Sequence, residues 1–105
     1  MNADAATVTH DPALQQFLAR VAGGLAVLQY RREPGRIVFL HTEVPEAARG
    51  HGIADQLARA GLEYAQVERL VVVPLCPFVA AYLKRHGVYQ PLVDPKWRHH
   101  AGIPD

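Results

Sequence analysis

From Gly52 onward the apolar positions Ile53, Leu57, Ala60, Gly61 and Tyr64 recur at i, i+4, i+7, i+8 and i+11. Asp55, Arg59 and Glu63 line the other side at i+4 spacing, so the pattern predicts a helix with one buried and one solvated face. The chain before it reads as extended. Leu25 to Arg31 and Arg36 to Val44 are β-rich runs separated by Arg32-Glu33-Pro34-Gly35, and Pro-Gly there predicts a hairpin turn. Pro45 ends the second run because it has no N–H to give a sheet ladder. Thr7 to His10 and Phe17 to Ala22 are shorter runs, read as strands, with Gly23-Gly24 as punctuation. Met1 to Ala5 read as a frayed start.

Beyond the helix, Leu70 to Pro74 is a continuous apolar run, which predicts a central strand covered on both faces. Pro77 to His86 predicts a second helix, with proline in its first turn and Gly87 at its stop. Tyr89 to Val93 is expected to return as a last strand, and Asp94-Pro95 to begin a tail. The order is a meander followed by strand, helix, strand and helix. It predicts an α+β fold, an α/β sandwich whose mostly antiparallel sheet gains one parallel pair through a crossover. Residues 1–105 are expected to form one domain, with a core over about 6–93 and a tail over 94–105.

Composition narrows the partners. The 105 residues are half hydrophobic and one fifth charged, with a formal net charge of +1. No basic excess suggests a nucleic-acid binder. The longest apolar runs fall far short of the roughly 20 residues that span a bilayer, and no charged-then-apolar N-terminal signal is seen, so a cytoplasmic location is expected. A single cysteine, Cys76, excludes an internal disulfide and a multi-cysteine metal site.

Arg49-Gly50-His51-Gly52 lies between the second hairpin strand and the helix, where glycine normally weakens helix formation. At a strand-to-helix junction the first backbone N–H groups lack internal partners and the helix dipole adds partial positive charge. Such an end suits phosphate, glycine admits close approach of a ligand, and Arg49 can add a charge-assisted contact. A plain loop whose glycines serve only its geometry is the alternative.

Arg49-Gly50-His51-Gly52-Ile53-Ala54 also matches, at every specified position, the Arg/Gln-x-x-Gly-x-Gly/Ala signature of the GNAT superfamily of acetyl-CoA-dependent N-acetyltransferases. With "HTEVP" and "VVVPLCPFVAAYLKRH", the chain resembles the small, single-domain GNAT-like family over roughly Gly24 to Val93. The resemblance implies a minimal GNAT fold with a V-shaped cofactor cleft. It implies acetyl-CoA as co-substrate, with the pantetheine arm along Thr42, Glu43 and Val44 and the pyrophosphate on the amides of Arg49, Gly50, His51, Gly52, Ile53 and Ala54. It places Cys76 where many members carry an asparagine, also against the cofactor, and Leu83 where they carry a tyrosine general acid, with Tyr82 one residue off. The two helices that cover the acceptor in many members are missing, so the acceptor side is expected to be open.

Candidate chemistry follows from these placements. Cys76, at the start of the second helix, is either a buried structural thiol or a catalytic one, acting as nucleophile or as proton donor to the departing CoA thiol. Glu43 and His41 are the candidate bases, two apart on one strand and so on one face; each has a structural alternative in capping or pairing with a neighbouring strand. His51 offers backbone rather than chemistry. Lys84 and Arg85 could meet the cofactor's 3′-phosphate, but a solvated helix C-terminus wants cations anyway and is the favoured reading; Trp97 packs the tail, and the adjacent His99 and His100 are not spaced for a shared metal, so no metal is expected.

The expected function is acetyl transfer from acetyl-CoA to an amine of a small molecule or a protein, by a monomer or weak homodimer. A non-catalytic acyl-CoA-binding or sensing module is the alternative, and a structural protein that kept only the fold is a third.

Overall fold

In a computed structural model of the chain, which describes residues 7–104, five strands form one sheet in sequential order, with two helices packed on it. The frayed start expected at Met1 to Ala5 lies outside the described residues. The strands are β1 (Thr9–Asp11), β2 (Gln16–Val21), β3 (Gly24–Glu33), β4 (Arg36–Glu43) and β5 (Val71–Pro74). β1 to β4 form an antiparallel meander. β5 joins β4 in parallel after the crossover through α1 (Ile53–Val67), and α2 (Pro77–Arg85) follows. This is the mixed sheet with packed helices that the pattern predicts. No helix among the described residues is long and apolar enough to cross a membrane.

One core lies between the sheet and the helices. Phe17, Ala26, Leu28, Tyr30, Ile37 and Phe39 supply the sheet side, Leu57, Ala58 and Leu62 come from α1, and Val79 and Leu83 from α2. α1 sits close to the sheet because Gly61 has no side chain. A Cβ built there would be 2.7 Å from Phe39 Cε1 and 3.2 Å from Leu28 Cδ2. The helix ends in a Schellman motif, with Leu70 N–H donating to Ala65 O (2.8 Å) and Arg69 N–H to Gln66 O (3.3 Å). Arg69 itself takes the left-handed position at φ 57°.

Three features differ from the pattern. β5 stands at the end of the strand order and is not central. Val72 and Val73 are nevertheless buried, and the following chain covers the free edge, with Val93 in a parallel bridge to Val72. An apolar run reports burial of both faces, which needs no second strand neighbour. The last strand expected at Tyr89 to Val93 is instead a 3-10 helix, Gly87–Leu92, containing Pro91. Proline cannot donate to a ladder, so only Val93 reaches the sheet. Gly87 opens that 3-10 helix, and the C-cap of α2 is His86. The tail does not hang free, because Ala101 and Ile103 are buried in the core cluster.

Candidate functional site

β4 and β5 run side by side only as far as Phe39 and Pro74. Cys76 N–H donates to Phe39 O at 2.9 Å, and there the two strands part. β4 continues to Glu43, paired with β3 on one edge; no described strand pairs with its other edge there. α1 begins across the opening. Gly50 and Gly52 both have left-handed backbones, at φ 85° and 74°, with no atom within 4 Å of a Cβ placed on either. Their use of glycine is therefore a matter of backbone conformation as well as of space. Gly52 is the N-cap of α1 and makes no side-chain cap bond, so the first-turn amides keep their donor capacity at the positive end of the dipole.

The strands and the helix N-terminus enclose a cleft of about 990 Å³. Thr42, Glu43, Val44, Arg49, Gly50, Gly52, Ile53 and Ala54 line it, together with His41. Those expected residues are brought together. His51 and Cys76 are not part of the wall.

A β-bulge decides which face of the sheet each of these β4 side chains takes. Gln29 pairs with His41 and Tyr30 with Phe39, leaving Leu40 as the extra residue of β4. Before the bulge Ile37 and Phe39 point into the core; plain alternation would send His41 and Glu43 after them. The extra residue inverts the parity. Thr42 turns inward, while His41 and Glu43 turn out, with Nε2 and Oε1 3.3 Å apart and Glu43 70% exposed. The two candidate bases therefore share a face and touch, as their spacing predicts.

Cys76 is fully buried at the N-cap of α2, its thiol 3.0 Å from Thr42 Oγ1. Tyr82 and Leu83 are also buried in the core. Tyr82 is stacked on His86 with centroids 4.0 Å apart, and burial holds its phenol above the ordinary value. α2 instead presents Phe78, 52% exposed, and Arg85 to the cleft. Arg85 makes a bidentate pair with Asp55 in the first turn of α1, at 2.8 and 3.1 Å, tying the two helices together at the cleft wall. That hydrogen bonding holds the Asp55 carboxyl below its usual range. As cleft-wall residues, Leu25, Phe78 and Asp55 escape the sequence reading, which placed Asp55 only on the solvated face of the helix. The i, i+7 spacing of Phe78 and Arg85 on one helix face is the signal that could have found two of the wall residues. Among the described residues no group of three or more His, Cys, Asp or Glu side chains is placed to hold a metal ion.

A splayed parallel pair with an uncapped helix N-terminus facing it is the arrangement of an acetyltransferase-type cleft. A family model described as GCN5-related N-acetyl-transferase matches residues 16–92, and the chain belongs to that family. Among its relatives are Protein NATD1 of Gallus gallus and of Homo sapiens, each 42% identical over 86 residues. The match covers 79% of this chain and 78% and 76% of the respective relatives. The Danio rerio Protein NATD1 is 38% identical over 82 residues, covering 75% of this chain and 74% of its own.

Proposed function

We propose that the chain transfers the acetyl group of acetyl-CoA to a primary amine, with Glu43 as the base and His41 beside it. The carrying observation is the opening between β4 and β5, with the uncapped N-terminus of α1 facing it across the cleft. Its volume, about 990 Å³, is at the upper end of small-ligand sites. The residues fit the cofactor. Gly50 and Gly52 leave open space at a helix N-terminus for phosphate, Arg49 stands beside them with its Nε donating to the Val44 carbonyl at 3.4 Å, and the β4 edge at Thr42 and Glu43, which no described strand covers, can take an extended arm.

The thioester supplies the acetyl group, and the protein supplies orientation and proton handling. An ammonium has no lone pair with which to attack. The Glu43 carboxylate attracts it and, with the His41 imidazole within 3.3 Å, accepts its proton. Cys76, sealed behind Thr42, serves in this reading as a structural thiol. The same reading takes residues 1–105 as one cytoplasmic domain.

A non-catalytic acyl-CoA-binding module is the second reading, favoured by the burial of Tyr82 and Leu83, which leaves no α2 hydroxyl on the cleft wall. Calorimetric titration with acetyl-CoA, with Gly52→Trp as control, tests the shared part. Micromolar binding lost in the variant supports the site; no heat in either protein sinks both readings. Turnover of bound acetyl-CoA on adding amines separates them. Glu43→Gln is expected to lower kcat by about 10²-fold or more and to remove the acid-side limb of the pH–rate profile, where protonation of the base shuts off the reaction. An unchanged profile would remove Glu43 as base.

A further inference from the structure

The β4 bulge puts the base on an unusual surface. Strand register carries its neighbours outward. Glu43 lies opposite Val27, which lies opposite Leu18; His41 lies opposite Gln29; Leu25 lies opposite Arg20. By alternation all of these point away from the face on which Ala26, Leu28 and Phe39 meet α1. Arg20, Leu25, Gln29, His41 and Glu43 are exposed, with Leu18 and Val27 half-buried between them. The acceptor side is thus a shallow strip on a sheet, apolar at Leu18, Val27 and Leu25 and polar at Arg20, Gln29, His41 and Glu43, continuous with the cleft through Leu25, His41 and Glu43.

We infer that the acceptor is a lysine side chain of another protein, in a segment that carries an acidic residue close to that lysine. This rests on the transferase reading above. A free small amine would meet the sheet on one side only, whereas small-molecule sites enclose most of their ligand. A protein acceptor brings its own surface, about 800 Å² per partner in an ordinary interface. Charge sets the sequence preference. Glu43 attracts the ammonium. Arg20 makes no ion pair with any described residue and stands at the far margin of the strip, on the second strand over. Sheet spacings put Arg20 roughly 12 Å from Glu43, the reach of about three or four residues of extended chain. An Asp or Glu at that distance from the lysine pairs with Arg20.

The test uses the full chain, acetyl-CoA and three acceptors, with release of the CoA thiol as readout. Two are short N-terminally blocked peptides with one lysine, carrying either Asp or Arg three and four positions to each side; the third is butylamine. The expected kcat/KM for the Asp peptide exceeds that for the Arg peptide by about tenfold, and both exceed butylamine. Arg20→Glu is expected to invert the peptide preference. Butylamine matching the peptides, a preference unmoved by Arg20→Glu, or no peptide turnover while calorimetry shows acetyl-CoA bound would each overturn the inference alone. Absence of acetyl-CoA binding would overturn the transferase reading beneath it as well.

Discussion

The hydroxyl of Thr42 and the thiol of Cys76 lie 3.0 Å apart in the buried apex where β4 and β5 separate. Each satisfies the other's polar atom in a place water does not reach, and together they join the strand that lines the cleft to the helix that closes it. The cysteine is expected to be inert in the native state. Ellman's reagent should label it only at the rate of unfolding, and Cys76→Ala should cost about 1 kcal/mol of stability while acetyl transfer stays within a few-fold of wild type. Rapid native labelling, or loss of transfer in a folded Cys76→Ala protein, would restore the thiol to the chemistry.

Two glycines of α1 and its cap are required for different reasons, and alanine separates them. At Gly52 the space is open but φ is 74°, so Gly52→Ala is expected to cost about 1–2 kcal/mol through backbone strain alone. At Gly61 the backbone is ordinary and the space is taken by Phe39 and Leu28. Helix propensity favours alanine there by about 1 kcal/mol, overpacking opposes it by about 1–3 kcal/mol, and the net expectation is destabilisation. In a Phe39→Leu background the cost of Gly61→Ala should shrink, while that of Gly52→Ala should not change. Urea denaturation of the single and double variants measures both.

Arg69 closes the Schellman motif in a left-handed conformation that suits glycine. Its side chain is exposed. Arg69→Gly is therefore expected to stabilise the protein by about 0.5–1 kcal/mol, read as a higher urea midpoint with an unchanged slope.

His10 packs its ring on Phe17, with centroids 4.2 Å apart and planes 8° from parallel, and its Nε2 lies 2.6 Å from Tyr30 Oη. Burial pushes the imidazole below its ordinary value of 6.5, against a smaller opposing effect of Asp11. Between that lowered value and 6.5 the unfolded chain binds a proton that the folded chain does not. Stability must then fall as the pH drops through that window. His10→Gln lacks the titrating group, so the stability difference between wild type and variant should decrease from pH 7.5 to pH 5.5. A difference independent of pH would show that the ring titrates alike in both states.

Much of this molecule is legible without coordinates because its signals are local. Pro34-Gly35 between two β-rich runs is a turn signal, and β3 and β4 pair across it as a hairpin. The period of Ile53, Leu57, Gly61 and Tyr64 makes a helix with one buried face, and Arg49 to Ala54 marks a helix entry suited to phosphate. The strand pair His41 and Glu43 share a face by the elementary period of two. Other features depend on neighbours that no local pattern names. The place of β5 at the end of the sheet, and the bridge by which Val93 covers its edge, follow from the path of a later segment. The buried contact of Cys76 depends on Thr42, far away in sequence.

The bulge at Leu40 is the clearest division between the two kinds of knowledge. Amino-acid identity placed His41, Thr42 and Glu43 on one strand and fixed which of them go together. Pairing with β3 inserted one extra residue, and that single shift turned the Thr42 side chain inward against Cys76 and the carboxylate and imidazole to the exposed face. The sequence by itself determined the elements, their order and the chemistry carried by each strand. The tertiary structure decided which face each side chain occupies, because the sign of an alternation depends on register with a partner strand, and register is a property of the packed sheet.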